Sequence, residues 1–101
     1  MKKRCTRYMH DYDITLEELK NANNPLIIDV RNKREYEEGH IQGSINMPEY
    51  EINRNIQNII NKDELIILYC SNGYRSLNAL EKLKKLGYKN VYNLYKGLEN
   101  Y

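Results

Sequence analysis

Apolar residues in this chain gather in three short clusters, at residues 26–30, 65–69 and 91–95. Each has the length of a strand. The first two, Leu-Ile-Ile-Asp-Val and Leu-Ile-Ile-Leu-Tyr, read as parallel strands buried on both faces rather than as alternating, half-exposed ones. Between them the spacing turns helical. Ile52, Ile56, Ile59 and Ile60 fall at i, i+4, i+7 and i+8, one face of a helix. Leu77, Leu80, Leu83 and Leu86 recur every three residues, Glu81 and Lys85 are placed as an i,i+4 pair, and Gly87 stands where a helix terminator belongs.

Weaker signals fill the gaps. Thr15-Leu16-Glu17-Glu18 reads as a capping box opening a short helix, which Asn23-Asn24-Pro25 ends. Residues 33–38 predict a brief helix stopped by Gly39, residues 44–47 an extended segment before Pro48, residues 6–9 a short first strand, and residues 97–100 a closing turn. Strands alternating with helices predict a mostly parallel sheet covered on both sides.

Composition adjusts this picture little. Hydrophobic residues are 41% and charged residues 30% of 101, and the mean hydropathy is −0.85. Those values suit a disordered chain, but a disordered chain lacks apolar clusters of this kind. Trp and Phe are absent, so ten tyrosines supply the aromatic packing. The length predicts one domain, residues 1–101. A net charge of +2 is too even to point to nucleic acid. Met1-Lys2-Lys3-Arg4 is basic, but no apolar stretch follows as in a secretory signal, and no run approaches the roughly 20 apolar residues that span a bilayer. A cytoplasmic protein without a membrane or nucleic-acid partner is expected. Cys5 and Cys70 form neither a disulfide framework nor a metal spacing.

Cys70 carries the candidate chemistry. It directly follows a buried strand and precedes the leucine helix, and in parallel α/β sheets ligand sites lie where a strand ends and the next helix starts. Free amides and the positive end of a dipole at a helix N-terminus favour a thiolate, which is the nucleophilic form. Gly73 permits positive φ, letting successive amides turn inward toward an anion. Arg75, read as the last loop residue before a helix starting at Ser76, adds positive charge.

The loop Cys70-Ser71-Asn72-Gly73-Tyr74-Arg75-Ser76 resembles the active-site loop of rhodanese domains. Asp29-Val30-Arg31, Glu35-Tyr36, Gly39-His40-Ile41, Gly43-Ser44-Ile45-Asn46 and Pro48 resemble the same family's upstream signature, and Tyr95-Lys96-Gly97-Leu98 its closing segment. The likeness runs from about Ile14 to Tyr101, and the two motif blocks together are highly specific. It implies a three-layer α/β fold with a central five-stranded parallel sheet flanked by helices. It also implies a sulfurtransferase, with Cys70 receiving sulfur from thiosulfate or from a persulfide or polysulfide donor. A thiol, cyanide or a partner protein, thioredoxin-like or other, would take that sulfur away. Amides from Ser71 to Ser76 would cradle the persulfide, Arg75 would stabilise the anionic donor and leaving group, and no metal or organic cofactor is called for.

This chain departs from the family pattern in places. Ser71, Asn72 and Tyr74 are uncharged where thiosulfate-active members carry further basic residues, which favours a persulfide or polysulfide donor. Lys96-Gly97 stands where a double glycine is common, and Tyr101 where a Trp is common. Asp29 and Arg31 are expected to serve structure beside the site, and His40 to tie a loop by hydrogen bonds. Cys5 is expected to be a small apolar residue of the first strand, with a resolving thiol as the alternative. Residues 35–38 are expected to form a solvated helix face, as are Lys82, Lys84 and Lys85. Two rival functions remain open: a catalytically quiet docking module or protein-to-protein persulfide relay, and a cysteine phosphatase. Phosphatases of a related fold have five residues between Cys and Arg, whereas four separate Cys70 from Arg75, a cradle too small for a tetrahedral phosphoryl group.

Overall fold

Residues 9–101 are described by the computed structural model. Five parallel strands form one sheet in the order β1-β5-β4-β2-β3, with β1 at Asp13–Ile14, β2 at Leu26–Asp29, β3 at Ile45–Asn46, β4 at Ile66–Tyr69 and β5 at Val91–Leu94. Every pairing is parallel, including Leu68 opposite Ile28 and Asn93. The most apolar strand, β4, therefore lies in the middle, where both of its edges and both of its faces are covered. The three-layer α/β expectation matches this arrangement.

The pleat sorts side chains to opposite faces. Ile66, Leu68 and Cys70 join one cluster, with Ile28, Val30, Ile52, Ile56, Ala79, Leu80 and Leu83. Ile67 and Tyr69 join the other, with Ile14, Leu19 and Leu94. Cys70 thus points toward helix α3 (Tyr74–Lys85), which supplies Ala79, Leu80 and Leu83 to its layer.

Helix α1 (Leu16–Lys20) begins with the expected box: Thr15 Oγ1 accepts from the Glu18 amide at 3.1 Å, and Glu18 Oε1 accepts from the Thr15 amide at 2.8 Å. Helix α2 (Lys33–Glu38) has a second box, with Asn32 and Glu35 in the reciprocal roles, and stops at Gly39. Gly87 follows α3 at φ +99°, a left-handed conformation natural to glycine.

One expectation lies largely outside the described residues and another needs correction. Among the described residues the first strand is Asp13–Ile14, paired with β5. The earlier segment falls largely outside the described residues, as does Cys5, and Met9 is in no strand. The isoleucine segment is not one helix but two 3-10 helices, Glu49–Glu51 and Arg54–Asn58. Asn53 Oδ1 accepts from the Asn55 amide at 2.9 Å, a local bond that competes with helical pairing and favours short turns. Ile52, Ile56 and Ile60 still reach the core, but Ile59 is 72% exposed. Tyr88 reinforces the segment by donating its hydroxyl to the Ile60 carbonyl.

Replacing Ile56 by Ala should therefore lower unfolding stability by about 2–4 kcal/mol, whereas Ile59→Ser should change it by less than about 0.5 kcal/mol. Urea denaturation checks both; equal losses would restore the continuous helix face.

Candidate active site

Strand β4 delivers Cys70 to the carboxyl end of the sheet, and the chain then has three residues before α3. Gly73 makes the turn at φ +102° and serves as the N-cap of α3. As a result α3 starts at Tyr74, not Ser76, and Arg75 belongs to its first turn rather than to the loop. The turn aims two amides at the sulfur: Gly73 N donates to Cys70 Sγ at 3.1 Å and Ser76 N at 3.4 Å. Ser76 Oγ lies 3.3 Å from the same sulfur. Cys70 is fully buried.

The loop is braced from behind by the segment after β5. Leu98 N donates to the Cys70 carbonyl and Glu99 N to the Ser71 carbonyl, both at 2.8 Å. Gly97 allows this approach, because a Cβ there would lie 2.5 Å from the Ser71 carbonyl carbon and oxygen. The adjoining Lys96 takes φ +59°. A glycine would hold that left-handed conformation with less strain.

The other loop side chains face away from the sulfur. Tyr74 is exposed, Asn72 Oδ1 accepts from the Tyr74 amide at 3.1 Å, and Ser71 Oγ accepts from Arg75 at 3.4 Å.

Arg75 is not a free cation. Its guanidinium donates to both carboxylate oxygens of Glu35, at 2.7 and 3.1 Å. Glu35 is thereby removed from the expected solvated face of α2 and becomes a site residue; Glu37 and Glu38 remain exposed. The Arg75 hydrogen bonds hold the Glu35 carboxyl down at about 2, and Glu35 in turn raises Arg75. The same Glu35 Oε1 completes the cap of α2, so one carboxylate fixes both the helix start and the arginine.

Asp29 and Arg31 form a buried pair beside the site. Asp29 accepts from Arg31 N, Nε and NH2 at 2.7–3.1 Å, and Arg31 NH2 also donates to the Gly39 carbonyl at 2.6 Å. Hydrogen bonding to Asp29 raises Arg31 further. Asn46 Nδ2 donates to the carbonyls of both Asp29 and Arg31, and the Tyr69 hydroxyl accepts from Ile41 N at 2.9 Å. His40 is exposed; its Nδ1 bonds to the Tyr36 carbonyl at 2.8 Å and its ring stacks on Tyr36.

Besides Glu35, sequence reasoning missed Asn93, which receives the Ser76 hydroxyl at 2.5 Å. A polar residue inside the apolar cluster 91–95 was the available signal, since buried amides need partners.

Two outcomes test this geometry. Gly97→Ala should cost about 2 kcal/mol or more through the clash and the positive φ, and should speed alkylation of Cys70 as the brace gives way; wild-type behaviour would show that the loop can yield. The depressed Glu35 carboxyl contributes stability that is present above its ordinary value of 4.5 and lost as pH falls toward about 2. Acid titration of folding should therefore be flatter across that window in Glu35→Gln than in wild type, the cap being retained by Gln.

Residues 14–101 match the family described as Rhodanese-like domain. The protein YqhL of Bacillus subtilis is 39% identical over 75 residues, covering 74% of this chain and 59% of that protein. Thiosulfate sulfurtransferase PspE of Escherichia coli is 37% identical over 67 residues, covering 65% of this chain and 64% of PspE. The chain thus spans less than two thirds of the length of either relative. The solution structure of the rhodanese-like domain of the Anabaena Alr3790 protein superposes with a TM-score of 0.80 at 24% identity, covering 89% of this chain and 72% of that one. With a matching fold and a family match across nearly all described residues, the chain belongs to the rhodanese-like domain family.

Proposed function

We propose that the chain moves sulfane sulfur through a persulfide on Cys70, with a persulfide or polysulfide as the preferred donor. The observation that carries this reading is the pair of amides, from Gly73 and Ser76, directed at Cys70 Sγ. They suit a sulfur that alternates between thiolate and persulfide. The Cys70 thiolate attacks the terminal sulfane sulfur, a new S–S bond forms, and the donor's S–S bond breaks with its electron pair leaving on sulfite or on a thiolate. An acceptor thiolate then attacks the same terminal sulfur and returns the pair to Cys70, as in other covalent catalysis.

The donor preference follows from charge. Glu35 neutralises Arg75, the one basic side chain in the loop and first turn, so a thiosulfate dianion gains little attraction over a singly charged persulfide. PspE carries thiosulfate in its name, and the Arg75 guanidinium can still donate to an anion, so thiosulfate is retained as the poorer donor.

Intact mass after incubation with thiosulfate, cysteine persulfide or polysulfide tests the chemistry. A one-sulfur adduct, removed by reductant and absent in Cys70→Ser, is expected; no adduct from any donor would leave the chain a docking module. Arg75→Ala should lower thiosulfate turnover about tenfold or more, equivalent to roughly 1.4 kcal/mol. Glu35→Gln should raise the thiosulfate-to-persulfide rate ratio about fivefold, the size of one charge contact of about 1 kcal/mol. An unchanged ratio would overturn the donor preference.

A further inference from the structure

Behind Cys70 runs a buried polar chain that sulfur transfer itself does not require. Ser76 Oγ meets three neighbours: Asn93 Oδ1 at 2.5 Å, the Gly73 carbonyl at 3.1 Å and Cys70 Sγ at 3.3 Å. Asn93 Nδ2 donates to Asp13 Oδ1 at 2.9 Å. Asp13 Oδ2 accepts from His10 N at 2.9 Å, with His10 Nδ1 at 3.4 Å. Ser76, Asn93 and Asp13 are all buried.

The donors and acceptors leave one consistent assignment. A carboxylate only accepts, so Asp13 fixes the Asn93 amide with its NH2 toward Asp13 and its carbonyl oxygen toward Ser76. Two oxygens 2.5 Å apart need a proton between them, and an amide oxygen has none to give. The single hydroxyl proton of Ser76 is therefore committed to Asn93. What Ser76 shows the sulfur is a lone pair, which matches an S–H donor and opposes a bare thiolate.

We propose that Asn93, oriented by Asp13, is a positioning residue that holds the Ser76 hydroxyl proton away from Cys70 and so favours the thiol in the resting site. An amide does not relay a proton, so the chain orients and does not conduct. In the persulfide Sγ is a neutral bridging atom, and the Gly73 and Ser76 amides continue to face it. The resting carrier is thus shielded from oxidants, which attack thiolates. Among the described residues, the charged groups near the site include Arg75 with Glu35, the Asp29–Arg31 pair and Lys96, whose backbone lies against Gly73. The variants below alter none of these, and Asp13→Asn changes in addition only the carboxylate that His10 meets.

The proposal rests on Cys70 being the nucleophile, but its test needs no sulfur donor. The rate of iodoacetamide alkylation is measured against pH on the full chain, read by mass at the Cys70 peptide so that Cys5 does not interfere. Asn93→Leu frees the Ser76 proton to be shared between the Gly73 carbonyl and the sulfur. The alkylation midpoint should then fall, by up to about one pH unit, the worth of one charge-assisted hydrogen bond. Asp13→Asn is the milder variant: an amide at 13 donates to Asn93 Oδ1, the Asn93 amide turns over, and the same downward shift follows with little change in shape. In a Ser76→Ala background Asn93→Leu, which changes no charge, should not move the midpoint further, and Asp13→Asn should move it only by the smaller effect of the lost carboxylate charge. An Asn93→Leu shift that persists without the Ser76 hydroxyl, or a midpoint that stays or rises in the folded Asp13→Asn protein, would overturn the proposal. Absence of sulfur transfer with these shifts intact would overturn only the transfer reading.

Discussion

The site hangs on a backbone clamp. The amides of Leu98 and Glu99 reach the carbonyls of Cys70 and Ser71, and Gly97 lets the two chain segments come within side-chain distance of each other. Without that brace the loop after β4 would be a three-residue surface turn, free to point its amides outward to water. With it, the turn is over-determined: β4 fixes one end, α3 the other, and the closing segment the back. Gly73 can then spend its left-handed φ on aiming amides inward rather than on simple chain reversal.

Electrostatics around this scaffold is restrained. Two arginines beside the site are each matched by a carboxylate, Arg31 by Asp29 and Arg75 by Glu35. The buried Asp29–Arg31 pair ties the end of β2 to the end of α2 through the Gly39 carbonyl, and α2 in turn presents Glu35 to Arg75. The positive character at the sulfur comes mainly from peptide N–H groups, whose direction is set by the fold and whose strength does not depend on pH. Fixed amides of this kind favour a single nearby negative charge over recruitment of a doubly charged ligand from solution, and the proposed donor preference rests on that difference.

Much of this was legible in the residues. The three apolar clusters became the three longest strands, and Thr15 with Glu18 formed the expected box. Gly87 and Gly39 ended helices where they were expected to. These are local or burial-driven features, and a linear pattern records them. Interactions that join distant residues were not legible. Glu35 and Arg75 are 40 positions apart, and nothing in Glu35-Tyr36-Glu37-Glu38 distinguishes the first carboxylate from the others before α2 is placed over the loop. The two-residue strand Asp13–Ile14 exists because β5 offers an edge, not because of its own propensity. Ile59 obeyed the helical spacing and still faces solvent, since the Asn53 side chain outcompeted a continuous helix. The start of α3 was misplaced by two residues because the left-handed Gly73 caps the helix itself.

The clamp also orders events during synthesis. Cys70 is synthesised before residues 97–99, and before β5, whose Asn93 bonds to Asp13 80 positions earlier. Until that segment is in place, the Cys70 loop lacks the bonds from Leu98 and Glu99 that back it. The same dependence makes the loop sensitive to any later loosening of the segment from Lys96 to Asn100, so that fraying at one margin of the fold would be felt at its chemical centre.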